Sequence, residues 1–365
     1  MGFRCGVIGL PNVGKSTLFN ALTQTAAAQA ANFPFCTIEP NIGHVAVPDP
    51  RLEQLSTLAG SAQTIPTRLD FVDIAGLVEG ASKGEGLGNR FLAHIGEAEA
   101  LVHVVRCFAD DDITHVSGVI DPVADAEIVN TELMLADLER LEKRAEPLRK
   151  KATARDKEAM GELELVEPAL AALESGKPAR SIDIPDTRAR EWKNLHLLTA
   201  KPVIYVCNVA EADAAEGNAL TARMAEEAAA EHAETVIISA RIEEELAQLD
   251  AEERAEYLAA LGLEAPGLDR LIRKGYALLD LITYFTAGPK EARAWTITRG
   301  TPAPQAAGVI HTDFERGFIR AETTSFDDYV ANGGEQGARE NGKMRQEGKE
   351  YIVQDGDVML FRFNV

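Results

Sequence analysis

The residues with the clearest chemical capacity lie in the run GLPNVGKST, residues 9–17. A glycine-bracketed turn followed by Lys-Ser lets backbone N–H groups wrap around anionic phosphate oxygens. Lys15 then reaches the β- and γ-phosphates, and the Ser16 hydroxyl is placed to ligate Mg2+. Asn12, Val13, Gly14, Lys15, Ser16 and Thr17 are therefore candidate phosphate-binding residues. A second short segment, NVAE at 208–211, stands where such a protein reads guanine with NKxD. The first segment points to a nucleotide switch, the second away from GTP.

The elements needed to hold these groups are written around them. CGVIGL at 5–10 is a short apolar run of the kind a buried parallel strand requires, and STLFNALT at 16–23 has the period of an amphipathic helix. A helix N-terminus behind the turn adds its partial positive charge. DIAG at 73–76 follows a further apolar strand, so Asp73 is expected to hold magnesium, through water, and the Gly76 amide to approach the γ-phosphate. Thr37, between the two, is the candidate for completing the magnesium shell, with an ordinary turn threonine beside Pro34 as the alternative.

Hydrolysis is less well specified. The position after DIAG is Leu77, which can neither donate nor accept, so another group must orient water. His115, in the polar DDDITHV loop, is the candidate, with an uninvolved surface histidine as the alternative; His103, inside a strand run, is expected to pack. The catalytic set is thus Lys15, Gly76 and His115. In some P-loop GTPases an asparagine at the position of Asn12 helps hold K+, so a potassium dependence is an expectation, beside a simple bracing role.

The base-side residues argue for adenine. In NKxD the aspartate accepts two hydrogen bonds from guanine, while the lysine stem lies along the base. Glu211 and Val209 occupy those positions, and a longer carboxylate with a lost cation spoils the guanine fit. Asn208 is expected to offer its amide to adenine N6 and N7, and Val209 to pack on the ring or donate its backbone to it. Ser239, in SAR at 239–241, matches the last base-side loop of such domains. Phe108 is read either as a stacking partner or as core packing.

At 365 residues the chain exceeds one ordinary core, and its net charge of −21 argues against a generally basic nucleic-acid binder, DNA included. Cys5, Cys36, Cys107 and Cys207 lack metal-ligand spacing and read as reduced core thiols of a cytoplasmic protein. No long apolar run supports a membrane span. Strand and helix signals alternate through the first 120 residues, which favours a covered parallel sheet. A helical pair dominated by Ala, Leu, Glu, Lys and Arg interrupts it from Ala124 to Ser175, broken around 150–156, and the strand runs resume at 201–208 and 234–240. Residues 243–285 read as helical with a break at 265–267, and 283–365 as a mixed α+β module in which the Gly-rich 333–350 is a mobile connection. Arg140, Lys143, Arg144, Arg149, Lys150 and Lys151 form either a patch for rRNA phosphate or a solvated helix face.

GLPNVGKST, NFPFCTIEPN, DIAGLVEGASKGEGLGNRFL and NVAE, in this order, resemble the YchF family, the Obg-like ATPases of the translation-factor-related GTPases. AWTITRGTPAPQAAGVIHTDFERGFIRA and the final DGDVMLFRFNV are similar to that family's C-terminal TGS domain. The resemblance implies an α/β P-loop NTPase core at 1–123 and 196–282, a helical insert at 124–195 and a ubiquitin-like TGS domain at 283–365. It implies binding and hydrolysis of ATP in preference to GTP, with Mg2+, and association with the ribosome, either its large subunit or the whole particle. A monomer is expected. A true GTPase switch and a ribosome-binding module with incidental turnover stand as alternatives. The glycine-rich 80–91 is expected to act as a second switch ordered by the γ-phosphate.

Overall fold

The computed structural model describes residues 3–30, 42–74, 87–110 and 119–364. In chain order they form β1 (Arg4–Ile8), α1 (Lys15–Ala30), β2 (Ile42–Ala46), α2 (Pro50–Ala59), β3 (Thr64–Ile65), β4 (Arg68–Asp73), α3 (Leu87–Glu97), β5 (Ala100–Arg106), α4 (Pro122–Thr153) and α5 (Lys157–Glu174). There follow α6 (Ala189–Lys193), β6 (Val203–Asn208), α7 (Ala219–Ala230), β7 (Glu234–Ile238), α8 (Ala240–Leu246), α9 (Ala251–Ala260) and α10 (Gly267–Leu278). The remainder of the chain holds β8 (Leu281–Ala287), β9 (Ala292–Thr298), α11 (Ala303–Ile310), α12 (Thr312–Arg316), β10 (Phe318–Ser325), α13 (Phe326–Ala331), α14 (Glu335–Glu340), β11 (Arg345–Glu347) and β12 (Asp357–Phe363).

The chain divides into two compact units, 1–44 with 70–271, and 45–69 with 272–365. The first carries a sheet in the order β2-β4-β1-β5-β6-β7, in which β1, β4, β5, β6 and β7 run parallel. Every residue of β5 and β6 is buried, which is why these strands read as continuous apolar runs rather than alternating ones. The sheet order jumps between β1 and β5, and the loops at the C-terminal ends of such strands are where ligands bind in open α/β sheets.

The expected helical pair is α4 and α5. Asp121 caps α4 by accepting from the Val123 and Ala124 amides, with Pro122 at the first helical position, and Asp156 caps α5 in the same way. Leu141 and Ala145 pack against Leu165, Val166, Ala169 and Leu173 between the two helices. The pair is anchored to the sheet through buried polar groups. Asp137, fully buried, accepts from the Leu198 and Thr199 amides and the Thr199 hydroxyl. Arg180 pairs with Glu231 at 2.5 Å and also donates to Asn130 and to the Tyr205 hydroxyl.

The basic residues of the pair are largely neutralised. Lys143 pairs with Glu139, Arg144 with Glu162, Arg149 with Glu167 and Lys150 with Glu146, while Arg140 donates to the His196 carbonyl. The solvated-face reading of these charges is the one their partners support.

The second unit has a sheet in the order β11-β10-β12-β8-β9-β3. One face buries Tyr284, Ile297, Ala303, Ala307, Phe318 and Phe361, and another cluster joins Leu52 and Leu55 of α2 to Phe285, Tyr329 and Val358. Three expectations change here. Residues 45–69 group with the C-terminal unit rather than with the nucleotide domain, because α2 supplies apolar partners and β3 pairs with β9. Residues 281–285 are strand rather than helix, as the β-branched and aromatic run LITYF favours. The Gly-rich 333–350 is no bare connection, since it carries α14 and the edge strand β11.

Candidate nucleotide-binding site

Four segments at the C-terminal ends of the parallel strands line one cavity of about 860 Å3: residues 10–17 after β1, 108–110 after β5, 208–211 after β6 and 239–244 after β7. The volume falls in the range of small-molecule and cofactor sites, ~300–1,000 Å3. Asn12, Gly14, Lys15, Ser16, Thr17, Asn208, Val209, Glu211 and Ser239 all lie on its wall, and Val13 is buried directly behind it.

The phosphate side is built as its spelling implies. Gly9 and Gly14 both have positive φ, 157° and 92°. A Cβ on Gly9 would stand 2.6 Å from the Val104 carbonyl oxygen, and one on Gly14 would stand 2.1 Å from Asn208 Nδ2. Only glycine fits either place. Asn12 takes φ 64°, a left-handed conformation that asparagine tolerates better than most residues, and it is exposed on the loop. Lys15 begins α1, and its ammonium is ion-paired with Asp73 at the end of β4. A carboxylate and, on the exposed Ser16, a hydroxyl are the oxygen donors that a hard divalent ion requires. Among the described residues no group of three or more His, Cys, Asp or Glu is placed to hold a metal, so a Mg2+ here would also depend on oxygens from the nucleotide.

The base side departs from expectation in two places. Asn208 is buried and its amide is engaged within the protein: Nδ2 donates to the Val13 carbonyl at 2.9 Å, and Oδ1 accepts from the Ala240 amide at 3.0 Å. It braces the phosphate loop against the last base-side loop instead of presenting both amide atoms to adenine. The Val209 amide donates to the Ile238 carbonyl at 2.9 Å, because strand pairing between β6 and β7 continues one residue further. That donor is thereby used, and the buried Val209 side chain is left with the packing role alone. Glu211 is partly exposed and pairs with Arg241 at 2.9 Å. Ser239, buried, precedes α8 without capping it through its side chain.

Phe108 lies on the cavity wall, partly exposed, rather than in the core. Its backbone and ring are both held by Arg106, which is 1 % exposed. Arg106 Nε donates to the Phe108 carbonyl at 3.0 Å, and its guanidinium sits 4.7 Å from the ring centroid. Arg106 and Arg241 were not among the residues singled out from sequence. A lone arginine closing the apolar strand VHVVR, and an arginine directly after Ser-Ala, were the available signals. His103 packs as expected, against Tyr205 with ring centroids 5.3 Å apart, and burial pushes its pKa down to about 3, so it stays neutral. Thr37, Gly76, Leu77, His115 and most of the expected second switch at 80–91 lie outside the described residues, and Cys36 with them. Cys5, Cys107 and Cys207 are buried free thiols. Among the described residues no helix is long and apolar enough to cross a membrane.

Residues 4–139 match a family model described as a 50S ribosome-binding GTPase, and residues 281–364 match the YchF-GTPase C-terminal model, described as a protein of unknown function. The chain is 55 % identical to the ribosome-binding ATPase YchF of Bacillus subtilis and 57 % identical to that of Escherichia coli O157:H7, each over 100 % of both chains. A solved structure described as the Schizosaccharomyces pombe YchF GTPase superposes with a TM-score of 0.89 at 38 % identity, covering 99 % of this chain and 98 % of that one. With identity of this order along its whole length and the same fold, the chain belongs to the YchF family.

Proposed function

We propose that this chain is a Mg2+-dependent ATP hydrolase that acts as a nucleotide-regulated switch on the ribosome. One observation carries the reading: a phosphate loop and a base-side segment without guanine readers face the same cavity. Val209 stands in place of the lysine, and Glu211, already paired with Arg241, in place of the aspartate. The ribosomal part is supported by the names of the bacterial relatives, which are ribosome-binding ATPases. The neutralised charges of α4 leave the ribosome-facing surface unassigned to the helical pair.

In this reading Lys15 and the loop amides of 12–17 hold the β- and γ-phosphates. Ser16, Asp73 and Thr37 would hold Mg2+, which when bound supplies positive charge against the phosphate oxygens. Asn208 keeps the phosphate loop and base loop in register, Val209 and Phe108 enclose the base, and Gly76 and His115 serve the γ-phosphate and the attacking water. Because Leu77 is inert, turnover is slow until a partner supplies or positions a further group. Asn12 leaves room for stimulation by K+, which equal rates in potassium and sodium would argue against. In this reading 283–365 is the TGS module, the nucleotide domain gives up 45–69 and 272–282 to the C-terminal unit, the helical insert is 124–195, and the protein works as a cytoplasmic monomer.

A GTPase is the second reading, favoured by the description of the S. pombe structure. Competition binding and turnover with ATP and GTP separate the two, and a GTP preference overturns the first. Cosedimentation with ribosomes in ATP-analogue and ADP states tests the switch. Binding that is the same in both states, with no stimulation of turnover, would leave only a ribosome-binding module.

A further inference from the structure

We propose that Arg241 is a specificity-determining residue for the base, acting through Glu211. The inference rests on the ATP reading above and extends it to a residue outside the NVAE segment. Arg241 Nε lies 2.9 Å from Glu211 Oε1 and 3.7 Å from Glu245 Oε1. Glu245 is in turn held from α9, where the Tyr257 hydroxyl donates to its other oxygen. The guanidinium is therefore set between two carboxylates, one of them anchored. Its root is fixed too, since the neighbouring Ala240 amide donates to Asn208 Oδ1, and Asn208 grips the phosphate loop. Glu211 and Arg241 line the same cavity as Lys15.

The chemistry of the two bases decides what this arrangement does. Guanine presents two donors, N1–H and N2–H, and needs a carboxylate with free oxygens. A carboxylate that already accepts from a guanidinium has less to offer that donor edge. Adenine presents an acceptor at N1, which a bare carboxylate repels and a carboxylate paired to a guanidinium repels less. By occupying Glu211, Arg241 thus weakens the guanine contact and eases the repulsion of adenine at once. Both side chains are partly to largely exposed, 76 % for Arg241 and 40 % for Glu211, so solvent screening limits the effect to a modest factor.

The test uses the full chain and four forms of it: wild type, Arg241→Gln, Glu211→Gln and the double variant. Fluorescent ADP and GDP are titrated against each, giving a ratio of affinities for adenine over guanine. Arg241→Gln is expected to lower that ratio by about fivefold, the factor that corresponds to an exposed ion pair. In the Glu211→Gln background the same substitution is expected to leave the ratio unchanged. Equal weakening of both nucleotides by Arg241→Gln would overturn the proposal and leave Arg241 a structural residue, and a shift that persists without the Glu211 carboxylate would overturn it by making Arg241 act on the base directly. A wild type with no adenine preference sinks the ATP reading itself, whereas a clear wild-type preference untouched by Arg241→Gln sinks only the role of Arg241.

Discussion

Asn208 Nδ2 donates to the carbonyl of Val13 across 195 positions of chain, at 2.9 Å. The other end of the same amide accepts from Ala240, so one buried side chain fastens the phosphate loop to the base loop. Asn208→Ala removes both bonds and strands a buried carbonyl and a buried amide, each costing ~1–3 kcal/mol. We expect a lower melting temperature and a parallel loss of affinity for ATP and GTP in nucleotide titrations. Loss of adenine affinity alone would instead restore a direct base-reading role.

Gly14 lies in the path of that amide. With φ at 92° and a Cβ position 2.1 Å from Asn208 Nδ2, Gly14→Ala must displace Asn208 or deform the loop. Nucleotide affinity is expected to fall by more than about tenfold, the equivalent of ~1.4 kcal/mol. Unaltered affinity in an isothermal titration would show that the loop can yield without cost.

The Lys15–Asp73 ion pair places two nucleotide-handling groups on each other. Binding a Mg2+-nucleotide requires both to exchange partners, the ammonium for phosphate and the carboxylate for the cation's shell. Asp73→Asn relieves Lys15 of its counter-charge, so affinity measured in EDTA should hold or rise. The gain in affinity on adding Mg2+ should drop by at least about tenfold. A variant that loses affinity equally with and without metal would point to a purely structural Asp73.

Glu243, 3 % exposed, accepts from the Gly267 amide at 2.6 Å and so caps the start of α10. Burial pushes its pKa up to about 7, against the pull of the Gly267 and Leu268 amides. In an unfolded chain the group titrates near ~4.3. Between these values the folded state holds a proton the unfolded state has released, so stability falls as pH rises through the window. Glu243→Gln keeps an acceptor and removes the titration. Urea denaturation should show the variant gaining on wild type by roughly 2–3 kcal/mol between pH 5 and pH 8. Parallel stability curves would place the ionisation elsewhere.

Arg180 and Glu231 form a buried pair at 2.5 Å that also engages Asn130 and Tyr205. Glu231→Gln leaves the guanidinium buried without its charge partner, at a cost of ~3–5 kcal/mol. Faster amide exchange is expected first around Arg180 and Asn130, since these connect the helical pair to the sheet. Exchange that rises uniformly would mean the pair supports the whole unit.

The phosphate half of the site was legible because its parts are contiguous: strand, glycine turn, lysine and helix follow one another between Arg4 and Ala30. The base half was legible only by type. Val209 and Glu211 are visible in the sequence as departures from NKxD, but the partner of Asn208 lies far along the chain and the partner of Glu211 is Arg241, thirty positions later. The basic run of α4 carries no sign in itself that Glu139, Glu146, Glu162 and Glu167 will answer it; that follows from the turn of one helix and the packing of two. The same holds for residues 45–69, whose amphipathic α2 finds its apolar partners more than two hundred residues away.

That last pairing bears on how the molecule is made. β3 pairs with β9, and Leu52 and Leu55 pack with Phe285, Tyr329 and Val358, so the second unit has no complete core until the final strand has been synthesised. At ~5–20 residues per second, α2 waits roughly ten to sixty seconds for those partners, with two leucines that must find other cover in the meantime. A fragment beginning at residue 272 would meet the converse difficulty: its aromatic and branched side chains would keep their own strands and lose the helix that arrives first.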